Sequence, residues 1–150
     1  MQNNFEINRK LPKVPAEYLL TESEILRLKC QTPDELKYGY GSFGPDNGVE
    51  ELFTEYFDQP IAVKYQRIES NIPLHVDRDH LDYKYNYVYD LGGEDVVTGW
   101  KSSKDSTDFE QIIKCEKHVW YMLNVGKLHA VWGITRPRLS ITIKIKHLQT

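Results

Sequence analysis

The feature that most constrains this chain is a change of period at residue 61. From there on apolar and polar residues alternate in short runs, at 61–69, 74–76, 83–91, 96–100, 118–123, 128–131 and 139–145. Gly92-Gly93, the polar stretch 101–108 and Arg136-Pro137 separate them. Side chains of an extended strand point alternately to opposite faces, so this period predicts a mainly β fold whose sheets each have one apolar face. The last run shows it most sharply. Leu139, Ile141, Ile143 and Ile145 share one face, while Arg138, Ser140, Thr142, Lys144 and Lys146 share the other. A row of cations and hydroxyls turned into a barrel is costly unless water or an anionic ligand fills the space, so a cavity open to solvent is expected.

The first 60 residues read differently. Thr21-Glu22-Ser23-Glu24 fits a capping box and predicts a helix at 21–30. Val49, Leu52, Phe53, Tyr56 and Phe57 recur at helical spacing ahead of Pro60 and predict a second. The 150 residues suit one domain, with a sandwich or barrel at 61–150 and helical support from 1–60 packed on one sheet.

Composition removes several function classes. With 27% charged residues and a net charge of -3, the chain is not of the disordered type. No run approaches the roughly 20 apolar residues of a membrane span, and the first 15 residues contain no signal-peptide core; a cytoplasmic protein with no membrane partner is expected. The two cysteines, Cys30 and Cys115, lack CxxC spacing and read as free buried thiols. Charge is uneven along the chain. No Asp or Glu follows Glu116, whereas Lys117, Lys127, Arg136, Arg138, Lys144 and Lys146 do. Because the pI is only about 5.9, a small anionic ligand explains this better than a nucleic acid does.

The chemistry concentrates in His75-Val76-Asp77, His129 and Arg138. In a strand His75 and Asp77 lie on one face, which suits a metal taking nitrogen and oxygen ligands. Alone, HxD is a common triplet. His129, 52 residues after Asp77, completes a two-histidine, one-carboxylate set that leaves adjacent coordination positions open, as non-haem Fe(II) oxygenases require. Arg138 offers a bidentate guanidinium for a carboxylate, and Ser140 a further hydrogen bond from the same face.

This arrangement of HxD, His and Arg-x-Ser resembles the Fe(II)- and 2-oxoglutarate-dependent oxygenases, in particular the prolyl- and aspartyl-hydroxylase branch. The resemblance spans about 61–145. It implies a double-stranded β-helix (jelly roll), with His75, Asp77 and His129 as iron ligands and Arg138 with Ser140 on the 5-carboxylate of 2-oxoglutarate. It also implies Tyr65 near the cosubstrate and Asn86 for its 1-carboxylate. The expected reaction is hydroxylation of an unidentified substrate using O2, with oxidative decarboxylation of 2-oxoglutarate to succinate and CO2. The protein side chain, free amino acid, nucleobase or metabolite that serves as substrate is not legible.

Alternatives stand beside each assignment. Arg136 competes with Arg138, and His80 and His118 compete as ligands. Tyr83, Tyr85, Tyr87 and Tyr89 form a stripe that suits sheet packing or, more sharply, a substrate platform. Trp132, three residues past His129, is expected to border the active site, and the loop 101–108 to act as a lid or an ordinary connection. A cupin-like metalloenzyme without 2-oxoglutarate would leave Arg138 without a purpose, and a non-catalytic jelly-roll module would bind no iron.

Overall fold

The computed structural model describes residues 3–31, 39–77 and 83–146. Two antiparallel sheets make up the body. In chain order the strands are β1 (Phe5–Asn8), β2 (Lys29–Cys30), β3 (Tyr40–Gly44), β4 (Ile61–Ile68), β5 (Ile72–His75) and β6 (Tyr83–Asp90). They continue with β7 (Val97–Trp100), β8 (Gln111–Ile113), β9 (Trp120–Asn124), β10 (His129–Trp132) and β11 (Arg138–Ile145). The large sheet has the order β1-β9-β6-β11-β4-β3-β2, and the small one β5-β10-β7-β8.

The alternation in β11 sets the layers. Leu139, Ile141 and Ile143 belong to a core on the outer face of the large sheet, packed with Leu11, Val14, Ile25, Val49 and Phe53. Arg138, Ser140 and Thr142 are buried on the opposite, inner face. Val88 of the large sheet meets Trp100 and Ile113 of the small one in a second core between the sheets, and Ile68 meets Ile72 and Val131 in a third.

The expected N-terminal helices do not form. The capping box is real, with Thr21 Oγ1 accepting from the Glu24 amide at 3.3 Å and Glu24 Oε1 accepting from the Thr21 amide at 3.0 Å. Yet the helix it starts, α1, spans only Glu22–Ile25 before the chain turns into the edge strand β2. A cap satisfies free amides at one end but does not lengthen a helix whose single buried residue is Ile25. The apolar repeat at 49–57 folds as two 3-10 turns, Val49–Leu52 and Thr54–Tyr56, which bury Val49 and Phe53 as a continuous helix would. Instead of helical support, the described residues of 1–60 contribute β1, β2 and β3 to the large sheet and an irregular layer over it.

That layer needs hydrogen bonds that a helix would have made internally. Aromatic groups of the large sheet supply them. Trp120 Nε1 donates to the Pro12 carbonyl at 2.8 Å, Tyr65 Oη to that of Tyr18 at 2.6 Å and Tyr89 Oη to that of Leu20 at 2.7 Å. Tyr85, Tyr87 and Tyr89 of the predicted stripe all pack in or against this outer core, so the stripe serves sheet packing. Cys30 and Cys115 are both free thiols, but Cys30 is only half-buried.

Candidate metal centre

Strand geometry brings the three proposed ligands together. His75 ends β5 and is registered opposite His129, the first residue of β10. Asp77 follows His75 by two positions and so returns to the same side, held by its amide donating to the Val125 carbonyl at 2.9 Å. The ligand atoms of His75, Asp77 and His129 lie within 4.8 Å of one another. Asp77 Oδ1 is 3.4 Å from His75 Nε2 and 3.5 Å from His129 Nε2. Those distances are long for hydrogen bonds, but close to the roughly 3 Å between neighbouring ligands that each sit about 2.1 Å from a shared ion.

Both imidazoles are oriented from behind. His75 Nδ1 lies 2.8 Å from the Pro73 carbonyl and His129 Nδ1 lies 2.7 Å from that of Lys127. A carbonyl only accepts, so each Nδ1 carries a proton and each Nε2, facing Asp77, is the ring atom placed to bind a metal. This is the support that metal-bound histidines characteristically receive. Trp100, paired with His129 across β7 and β10, packs its buried ring 6.5 Å from the imidazole and is fixed by its Nε1 donating to the Asn124 carbonyl at 2.8 Å.

The electrostatics suit a cation. Burial opposes ionisation of Asp77, but His75 beside it and the positive charges of Lys84 and Lys144 hold its carboxyl well below the usual range. Burial lowers His129 to about 4, against the opposing pull of the Lys127 carbonyl. Near neutral pH the group therefore offers a carboxylate and a neutral imidazole, the forms in which these side chains bind metals.

Arg138 stands at the start of β11 on the inner face and is 4% exposed. Cys115 and Tyr121 lie beside it, and burial pushes the Cys115 thiol up, so that thiol is no counter-ion. Its Nε has no hydrogen-bond partner among the described residues. Ser140 and Thr142 follow on the same face, and Asn86, registered opposite Thr142 and Tyr121, leaves its Oδ1 without a partner there as well. Buried polar atoms left open are rare in folded proteins and call for a ligand or water. Arg136, the competitor, is exposed and donates to Asp90 Oδ1 at 3.2 Å.

Two assigned residues lie elsewhere. Tyr65 is registered opposite Ile141, on the outer face, and its hydroxyl joins Tyr18 to Asn47, so it cannot reach a cosubstrate between the sheets. Trp132 is an odd number of positions from His129 and therefore points out of the small sheet, where it packs 4.7 Å from the Phe109 ring and fills the space over Gly99. Trp100, rather than Trp132, is the tryptophan beside His129. His118 packs 5.9 Å from Tyr87, away from the three ligands, and His80 lies outside the described residues. A cavity of about 580 Å³ beside β3 and β4, lined by Pro45, Asp46, Glu50 and Glu51 among others, contains none of these groups.

No protein-family model matches the chain, and no curated protein matches it in sequence. Among the described residues no helix is long and apolar enough to cross a membrane.

Proposed function

We propose that this protein is an Fe(II)- and 2-oxoglutarate-dependent dioxygenase that hydroxylates its substrate, built on a double-stranded β-helix. The observation that carries the reading is the paired orientation of His75 and His129, each with Nδ1 on a backbone carbonyl and Nε2 facing Asp77. The strand order supports the fold. From β4 to β11 the chain passes repeatedly between the two sheets, and β11 returns between β4 and β6 as β10 returns between β5 and β7, as in a jelly roll.

In this reading His75, Asp77 and His129 hold Fe(II), which supplies the O2 chemistry that decarboxylates 2-oxoglutarate to succinate and CO2 and hydroxylates the substrate. Arg138 holds the far carboxylate of the cosubstrate, which gives its buried Nε the partner it lacks among the described residues. Ser140 adds a hydroxyl on the same face. Asn86 and Thr142 lie between that end of the site and the metal ligands, where Asn86 can orient a bound polar group. Trp100 closes the wall behind His129 and keeps water from its inner side.

The test is anaerobic addition of Fe(II) and then 2-oxoglutarate, watching the weak visible charge-transfer band of the chelate. The band is expected in the wild type. Arg138→Ala should retain iron binding while weakening 2-oxoglutarate by about 10- to 100-fold, the effect of a lost charge-assisted hydrogen bond. Iron binding with no response to 2-oxoglutarate would point to a cupin-like metalloenzyme, and no iron binding would point to a non-catalytic module.

A further inference from the structure

Two lysines share the inner face of the large sheet with the candidate site, and neither is required by the chemistry above. Lys144 Nζ lies 3.9 Å from Asp77 Oδ2. Lys84 acts electrostatically on both Asp77 and His129. They come from adjacent strands. Ile143 of β11 is registered with Tyr85 of β6, so one step further along the antiparallel pair Lys144 stands opposite Lys84. Both project inward, since their neighbours Tyr85 and Ile143 pack in or against the outer core.

Like charges directly opposite on neighbouring strands repel, and a divalent cation on Asp77 would add to that repulsion. The charges of the proposed site balance without these lysines. A divalent ion and Arg138 carry three positive charges, and Asp77 with dianionic 2-oxoglutarate carries three negative ones. Both lysines make further interactions, among them that of the Lys144 ammonium with Asp77, and Lys84 is placed on the same inner face by the strand register. Paired strands stand about 5 Å apart, so one carboxylate or phosphate group can bridge the two ammonium groups.

We propose that Lys84 and Lys144 form an oxyanion site for the substrate, which is therefore an acid carrying a carboxylate or phosphate group. The inference rests on the oxygenase reading for the word substrate, but the anion site can be measured without turnover. Arg138, at the other end of β11, remains with the cosubstrate. The oxyanion is held at the metal end of the site and adds to 2-oxoglutarate rather than replacing it.

Protein loaded with Zn2+ and saturated with 2-oxoglutarate is titrated calorimetrically with inorganic phosphate, and separately with acetate, to learn which oxyanion fits better. Wild type is expected to bind at least one of them while 2-oxoglutarate stays bound. Lys84→Ala and Lys144→Ala should each weaken that binding tenfold or more, Lys144→Arg should largely restore it, and Lys114→Ala should leave it unchanged. Lys144→Ala should also bind Zn2+ severalfold more tightly, because a positive charge beside Asp77 has gone, whereas a lysine with a purely structural role would not shift metal affinity in that direction. Absence of oxyanion binding in the wild type, binding that persists in both alanine variants, or displacement of 2-oxoglutarate by the anion would each overturn the proposal. Failure of the oxygenase reading would show separately, as loss of Zn2+ or 2-oxoglutarate binding in the wild type; the oxyanion titration of metal-free protein then decides the lysine site by the same criteria.

Discussion

His129 is held neutral by its burial, with a pKa of about 4 against an ordinary value of 6.5. Between those values the unfolded chain binds a proton that the folded one does not. Stability of the metal-free protein is therefore level above about pH 6.5 and falls as pH drops toward 4, by up to about 1.4 kcal/mol per unit inside that window. Asp77, whose pKa is lowered, contributes its own loss only below the ordinary carboxylate value of 3.8, so the windows are separate. Urea midpoints of metal-free protein at pH 7.5, 6 and 4.5 check this, with His129→Gln expected to flatten the slope. A wild-type midpoint that does not move would show that His129 protonates without resistance. At this scale legibility followed the strand period. The common face of His75 and Asp77 is legible because two positions restore a face, and that of Arg138 and Ser140 because they alternate with apolar residues. Tyr65 and Trp132 lie on the other faces of their sheets: Tyr65 shares the outer face with Ile141, and three positions from His129 put Trp132 on the far side of the small sheet.

At the scale of elements, β11 positions the inner-face groups, and the turn after β6 packs against Arg138. Gly92 has φ +77°, and a Cβ there would stand 2.6 Å from Arg138 Cβ and 2.9 Å from its Cα. Only glycine allows both that conformation and that approach. Gly92→Ala is predicted to destabilise the protein by about 1–3 kcal/mol and to weaken 2-oxoglutarate severalfold while leaving metal affinity intact. Denaturant melts and separate metal and cosubstrate titrations check it; an equal loss of metal binding would mean that the turn supports the whole site. Most strands from 61 onward were legible because alternation reports burial directly. The helices were not, because a capping box and an i, i+3, i+4 pattern describe one turn and one apolar stripe, both of which 3-10 turns can satisfy. Strand β8 was missed because Gln111–Ile113 is too short to show a period, and β3 because Gly41 and Gly44 interrupt Tyr40–Gly44.

Across the whole molecule, the acid-free C-terminal segment resolves into two populations of charge. Lys127 pairs with Glu110 and Arg136 with Asp90 on the outside, whereas Arg138 and Lys144 turn inward toward the candidate site. The net charge of -3 conceals this because the inward cations are few and their neighbours in sequence are apolar. Three layers follow from the same alternation: an irregular N-terminal covering pinned by Tyr65, Tyr89 and Trp120, the large sheet, and the small sheet that brings His75 and His129 side by side. The irregularity of the covering is not legible in the sequence because its hydrogen bonds come from residues 47 to 108 positions away in the sheet. The central claim is that the ligand atoms of His75, Asp77 and His129 converge to hold one metal ion. Anaerobic titration of metal-free protein with Fe(II) tests it most directly. One ion per chain is predicted for the wild type, with affinity reduced more than about 100-fold in Asp77→Ala while the fold is retained by circular dichroism; no binding, or equal binding in the folded variant, would contradict it.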